Sequence, residues 1–310
     1  MNEGEILAQI RAFGRSGSNE RVRVGAGDDC AAIRAPRAGF ETVVTTDQVI
    51  ETKHFTGETH TAEQVGGKVL TRGLSDLAAM GARPAWFLLS LQIPAWALGE
   101  WIQHFLSGMF AKSDALRLRK LPLAGGDLAA AERFSAHVVA AGEVPAGKAL
   151  LRSGAQAGDR VWVTGKLGGS ALGLERLQAG GRGGDAVLRH LEPTPRLAEG
   201  QELRRRGATA AMDLSDGLSV DLARLAAASG LQARIEAARI PRFEGASLAH
   251  ALHGGEDYEL LFAGPPDLET TGLDATPIGE MCPGSGVWLD DEQRALEPRG
   301  FDHFRSEEEV

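Results

Sequence analysis

Hydrophobic positions along the chain change period several times, and those changes mark its elements. Ile6, Leu7, Ile10 and Phe13 recur at helical spacing and predict a short amphipathic helix. Phe40 to Thr46 is rich in β-branched residues and reads as a strand running into Asp47. Thr61 and Gln64 form a capping-box signature for a long helix. That helix carries Val65, Val69, Leu70, Leu74 and Leu77 and ends near Gly81, with Pro84 just beyond. Ala85 to Ile93 reads as a buried strand. Leu98, Trp101, Ile102, Phe105, Leu106 and Met109 make one apolar helix face. Leu118 to Leu123 predicts a strand that stops at Gly125-Gly126-Asp127, and Phe134 to Val144 predicts another.

A second block starts near Gly147. Strands are expected at Asp159 to Thr164, Ala208 to Leu214, Gln232 to Glu236 and Glu259 to Ala263, with a helix from Leu218 to Ser229. Gly180 to Gly184 reads as a flexible loop, and Pro193 and Pro195 interrupt any helix there. Strands and helices mix without strict alternation in both blocks. The expected fold class is therefore α+β, in two domains over residues 1–146 and 147–310.

Composition narrows the function. Hydrophobic residues make up 43% and charged residues 24% of 310, ordinary globular values, and no apolar run is long enough to span a bilayer. The acidic start, Met1 to Glu5, lacks an apolar signal core, so no export and no membrane partner are expected. With only Cys30 and Cys282, neither a disulfide framework nor a structural zinc site is expected, and a reducing cytoplasm fits. A net charge of −9 argues against a nucleic-acid partner but permits a phosphate ligand held through metal ions.

The chemistry is concentrated in aspartates set beside glycines or hydroxyls: Gly27-Asp28-Asp29, Thr45-Thr46-Asp47, Ser75-Asp76, Gly125-Gly126-Asp127, Asp213-Leu214-Ser215-Asp216-Gly217 and Gly254-Gly255-Glu256-Asp257. Each alone is usually a turn or a cap. Together they have the chemistry of magnesium sites: hard oxygen ligands, one or two carboxylates per ion, and glycines that let phosphate approach the backbone. Asp213 and Asp216 are spaced i,i+3 at an expected helix start, which can aim both at one place. Asp76 lies past the first turn of its helix, where capping cannot explain it. That helix also holds Gly66, Gly67 and Gly73, each costing about 1 kcal/mol against alanine, so close packing or ligand approach must offset them. No GxxxxGK[ST] loop, no GxGxxG fingerprint and no GxSxG elbow occurs. The sequence thus points to magnesium-dependent phosphoryl transfer without a Walker-A loop.

In order along the chain, these segments resemble the thiamine-monophosphate kinase family. It belongs to the ATP-binding superfamily that also includes aminoimidazole ribonucleotide synthetase and selenophosphate synthetase. The resemblance rests on Gly25 to Ala31, Thr45-Thr46-Asp47 with His54-Phe55, Leu74 to Ala82, Gly125-Gly126-Asp127, Leu151 to Gly154, Asp213 to Gly217, Gly254 to Leu260 and Gly300 to Phe304. It implies ATP as co-substrate and thiamine monophosphate as acceptor. It implies Mg2+ sites drawn from Asp29, Thr45, Thr46, Asp47, Asp76, Asp127, Asp213 and Asp216. Nucleotide contacts would come from Gly126, Asp127, Arg152 and Ser215, and acceptor contacts from His54, Glu256 and Phe301. It further implies a homodimer formed through the sheet of the N-terminal domain. Two departures stand out. Leu128-Ala129 follows Asp127 where the family commonly has two threonines, and Phe301 stands where it often has tryptophan or tyrosine. Another superfamily member with a different acceptor, or a non-catalytic nucleotide- or metal-binding protein, are the alternative readings.

Overall fold

The structure, a computed structural model, describes residues 5, 20–24, 30–119, 121–290 and 295–301. The expected first helix and the Gly25 to Asp29 segment, with Asp29, lie outside the described residues. The chain divides into two compact units, one formed by the described residues of Met1–Leu77 and Ala82–Ala149, the other by those of Ala78–Gly81 and Leu150–Val310. Both combine helices with sheets, as the α+β expectation required.

The first unit opens with a short antiparallel pair, β1 (Val22–Val24) and β2 (Ala32–Ile33). Its main sheet has four strands: β3 (Phe40–Ile50), β4 (Arg83–Ile93), β5 (Leu123–Ala130) and β6 (Ser135–Pro145), in the order β3-β6-β4-β5. β6 is antiparallel to both neighbours, and β5 runs parallel to β4. Alternation buries Phe87, Leu89 and Leu91 of β4 with Ala136, Val138 and Ala140 of β6. The helix α1 (Ala62–Ala79) packs on that face, and α2 (Glu100–Ala115) packs on α1. The expected cap is present: the Gln64 amide N–H donates to Thr61 Oγ1 at 3.3 Å, and the Thr61 N–H donates to Gln64 Oε1 at 3.0 Å.

The glycines of α1 are there for packing. A Cβ on Gly66 would lie 1.9 Å from the carbonyl oxygen of Phe105, and one on Gly108 would lie 2.1 Å from that of Glu63. Two helix backbones therefore touch where side chains would hold them apart. Gly66→Ala is expected to lower stability by about 3 kcal/mol, because the contact it meets is backbone and cannot yield. A urea midpoint shift at unchanged slope measures it.

Two strand boundaries differ from the sequence reading. β3 does not end at Asp47; it continues to Ile50, and Asp47 is an interior position. The strand expected at Leu118 to Leu123 instead begins at Leu123, so Gly125-Gly126-Asp127 lies inside β5 rather than after it. Both are outer strands, where a glycine or a short acid disturbs only one ladder.

The second unit carries a six-stranded sheet in the order β12-β9-β11-β7-β10-β8. Its strands are β7 (Arg160–Thr164), β8 (Ala210–Asp213), β9 (Gln232–Ile235), β10 (Leu260–Gly264), β11 (Ala275–Cys282) and β12 (Gly286–Leu289). Its helices are α3 (Gly169–Gln178), α4 (Asp185–Leu191), α5 (Leu197–Arg206), α6 (Leu218–Ser229) and α7 (Leu248–His253). The core joins Val161 and Val163 of β7, Leu261 of β10, Ile278 of β11, and Leu218, Leu222 and Leu225 of α6. Among the described residues, no helix is long and apolar enough to cross a membrane.

Candidate functional site

In the first unit the site grows out of strand alternation. Thr45 and Asp47 share one face of β3, while Thr46 faces the other way and is exposed. α1 meets the Thr45–Asp47 face with residues one helical turn apart. The Thr45 hydroxyl donates to Asp76 Oδ2. Arg72 donates from Nε at 3.0 Å and from Nη2 at 2.9 Å to Asp47 Oδ1. Thr45, Asp47 and Asp76 are thus brought together, half-buried, with a guanidinium against one of the two carboxylates. The Thr46 side chain points away from this cluster.

Asp127 is elsewhere. It is exposed on β5 and level with Ser90, on the sheet face that Thr46 shares. β3 and β5 are opposite edges of the sheet, three strand spacings or roughly 14 Å apart. Asp127 and Asp47 therefore do not meet within one chain. Gly126 beside it admits no side chain, since a Cβ would lie 1.8 Å from the Leu89 carbonyl oxygen.

His54 follows β3 in a tight turn and is buried. Its Nδ1 accepts the Ile50 N–H at 3.0 Å, which puts the proton of the neutral ring on Nε2. Lys68 of α1 donates to the His54 carbonyl oxygen at 3.2 Å and lies 3.3 Å from His60 Nε2, so this turn is pinned from below by a buried lysine.

In the second unit three segments far apart in sequence converge. β8 ends at the buried Asp213, paired with Leu260 of β10. Asp216 lies in the turn before α6 rather than in the helix, which begins at Leu218 after Gly217. The i,i+3 pair expected at a helix start is thus a strand end and a turn. The Glu256 N–H donates to the Ser215 carbonyl oxygen at 2.8 Å, and the Phe301 N–H donates to that of Asp216 at 3.2 Å. The turn at 214–216 therefore gathers Glu256 on one side and the half-exposed Phe301 on the other. Asp216 itself is paired with Arg224.

The Glu256 segment is strained and clamped. Glu256 and Tyr258 have φ of 63° and 50°, left-handed values that such residues rarely adopt. Asp257 between them is buried and accepts the N–H groups of Gly168 at 2.6 Å and Ser170 at 3.1 Å, at the start of α3. Buried Glu259 accepts from Thr164 Oγ1 and from Arg196 Nε and Nη2, each at 2.6 Å, and is paired with Arg189. Glu256 Oε2 lies 3.6 Å from His190 Nδ1. Burial pushes the carboxyls of Asp257 and Asp221 each up to about 6, against the backbone N–H groups that favour their charged forms.

Arg152 is not brought to this turn. It is exposed, and its carbonyl oxygen accepts from Ser229 Oγ at 2.8 Å, at the far end of α6. The turn at 215–217 is the length of that twelve-residue helix away, about 18 Å. Among the described residues, no three His, Cys, Asp or Glu side chains are gathered closely enough to hold a metal ion alone. Sequence reasoning missed Arg72, Arg224 and Asp221, which touch the acidic residues directly. Their only signal was position: Arg72 lies one helical turn before Asp76, and Asp221 and Arg224 lie on the first two turns of the helix after Asp216.

The AIR synthase related protein models match this chain in two parts, the N-terminal domain over residues 27–144 and the C-terminal domain over 156–292. The chain is 38% identical to the thiamine-monophosphate kinase of Escherichia coli strain K12, over 97% of this chain and 98% of that one. Among solved structures, the thiamine-monophosphate kinase of Stenotrophomonas maltophilia superposes with a TM-score of 0.80 at 37% identity, covering 94% of this chain and 96% of the other. AaThiL complexed with AMPPCP and TMP superposes with a TM-score of 0.80 at 30% identity, covering 98% and 99%.

Proposed function

This chain belongs to the AIR synthase related family, among its thiamine-monophosphate kinases, and from that membership we propose that it transfers the γ-phosphoryl group of ATP to thiamine monophosphate, giving thiamine diphosphate and ADP. The observation that carries this reading is the convergence of Asp216, Glu256 and Phe301 on one turn. A carboxylate suited to a cation sits beside a carboxylate and an aromatic ring suited to a flat, positively charged acceptor.

Phosphoryl transfer is mainly positioning and neutralisation of charge. The acceptor is a phosphate monoester with a second pKa of about 6, so at neutral pH it is already deprotonated and no residue need remove a proton. The obstacle is repulsion between two anions. The donor set suits magnesium: it consists of hard oxygens, and at Asp47 and Asp216 an arginine already stands where a cation belongs. Thr45, Thr46, Asp47 and Asp76 in the first unit, Asp213 and Asp216 in the second, and Asp29 and Asp127 are the residues that would hold the ions. When bound, Mg2+ supplies charge neutralisation to both phosphates. The nucleotide contacts are Gly126 and Asp127 in the first unit and Ser215 and Arg152 in the second. His54, Glu256 and Phe301 hold the acceptor, and the left-handed backbone at Glu256 aims its carboxylate. The transfer is direct and in line, in the cytoplasm, with neither nucleic acid nor membrane as partner.

The active form is a homodimer, and two features of the sheet support it. β3 is an eleven-residue outer strand with Val44 exposed, and β5 is an outer strand with Ala129 and Ala130 exposed. Long outer strands with apolar residues in water are usually paired or covered. Thr46 and Asp127 share one face at opposite edges, so a twofold dimer that closes both edges, β3 of each protomer against β5 of its partner, would set Asp127 of the partner subunit beside Thr46, on the strand next to the one that carries Asp47.

A coupled ADP-release assay across acceptors tests the function. ADP release stimulated by thiamine monophosphate and dependent on Mg2+ is expected. Stimulation by a different acceptor would transfer the reaction to another branch of the family, and nucleotide binding without turnover would leave a binding protein.

A further inference from the structure

The turn that gathers Glu256 and Phe301 is built around a side chain outside the acidic motifs. Asp221 lies on the first turn of α6 with no exposed surface. Its Oδ2 accepts three consecutive backbone N–H groups, from Ser215 at 3.1 Å, Asp216 at 3.0 Å and Gly217 at 3.1 Å. Its Oδ1 accepts Arg224 Nη1 at 2.9 Å, and the same nitrogen reaches Asp216 Oδ2.

Successive N–H groups converging before a helix form the concavity that elsewhere holds a phosphate oxygen. Here it is filled from inside the protein. The three donors turn inward to Asp221, and the carbonyl oxygens of Ser215 and Asp216 turn outward to the N–H groups of Glu256 and Phe301. One buried carboxylate thus sets the shape of the turn.

We propose that Asp221 is a positioning residue for the reaction: by holding the Ser215–Gly217 amides it fixes, through that turn, the Asp216 carboxylate and the segments carrying Glu256 and Phe301. The proposal rests on the roles given to those three residues above. Arg224 is the second part of the device, tying the Asp216 carboxylate to the buried one.

Asp221→Asn tests it at constant size. The amide has one acceptor oxygen in place of two and turns an N–H toward Arg224. In the metal-free protein, amide hydrogen exchange at residues 215–217 is expected to rise about tenfold, the loss of roughly one good hydrogen bond, while residues 222–228 of α6 keep their protection. In the assay, the KM for thiamine monophosphate and the Mg2+ concentration for half-maximal rate are expected to rise about tenfold each, with kcat falling less. Unchanged exchange at 215–217, or exchange rising equally along the whole of α6, would overturn the proposal, since the second outcome marks a purely structural cap. If Asp221→Asn does not fold, Arg224→Gln leaves the three N–H bonds in place and is expected to raise the Mg2+ requirement alone; no change there overturns the device. Exchange is read without substrate. A local rise in a protein that never phosphorylates thiamine monophosphate would therefore sink the proposed function and not the positioning of the turn, whereas an unchanged KM in an active enzyme would sink the positioning role.

Discussion

Asp127→Ala is expected to lower kcat/KM at least about a thousandfold, roughly 4 kcal/mol of transition-state stabilisation, with the thermal midpoint of unfolding unchanged within about 1 °C. The separation of the two effects follows from where the residue stands. Asp127 is exposed on an outer strand, so folding neither desolvates its carboxylate nor depends on it. Its removal costs only what it does for the bound phosphates. Asp47→Ala is expected to be as inactive but less stable, by about 2 kcal/mol, because it takes from Arg72 a carboxylate bonded through two of its nitrogens at a site where that side chain is 12% exposed. Coupled kinetics with differential scanning fluorimetry on both variants measures the contrast. A fall in midpoint for Asp127→Ala as large as that for Asp47→Ala would assign Asp127 a structural role instead.

That contrast was out of reach from sequence, where the two aspartates read alike. In sequence both stand at the end of a strand-like run, Phe40 to Thr46 and Leu118 to Leu123, and read as strand ends. Both are interior to outer strands, and only strand order shows that they occupy opposite edges. The local signals fared better. The Thr61–Gln64 cap, the α1 apolar face and the span of α6 were legible because each depends on neighbours within a few positions. Asp76 stands out in sequence because no capping role is open to it, and in the structure its Oδ2 accepts the Thr45 hydroxyl. Gly66 was recognised as costly, but its reason, the Phe105 carbonyl on another helix, is a tertiary fact. α3 and α4 went unread because each follows a glycine with no side-chain cap. The meeting of residues 214–216, 256 and 301 depends on pairing across the sheet and on a C-terminal segment laid along the turn, and neither has a local signature.

Mixing the two inactive variants is expected to restore activity. If Asp47 of one protomer works with Asp127 of the partner subunit, a heterodimer of Asp47→Ala and Asp127→Ala chains has one site lacking both carboxylates and one site with both. Random exchange at equal amounts makes about half of all dimers mixed, and half of the sites in those are intact, so about a quarter of wild-type activity should return. The figure follows from twofold symmetry and needs no adjustable energy. The physical ground is the sheet: the two residues are roughly 14 Å apart within a chain, too far for shared ligation of one ion, yet a twofold dimer closed through both edges, β3 of each protomer against β5 of its partner, places each on a strand beside the other's copy. Subunit exchange under mild denaturant, followed by the ADP-release assay against each variant alone, gives the result. Recovery near a quarter would establish a site built across the dimer. No recovery, with exchange confirmed by mass-labelled chains, would place Asp47 and Asp127 on separate ions around one nucleotide within a single chain, and the outer strands would then need a different covering.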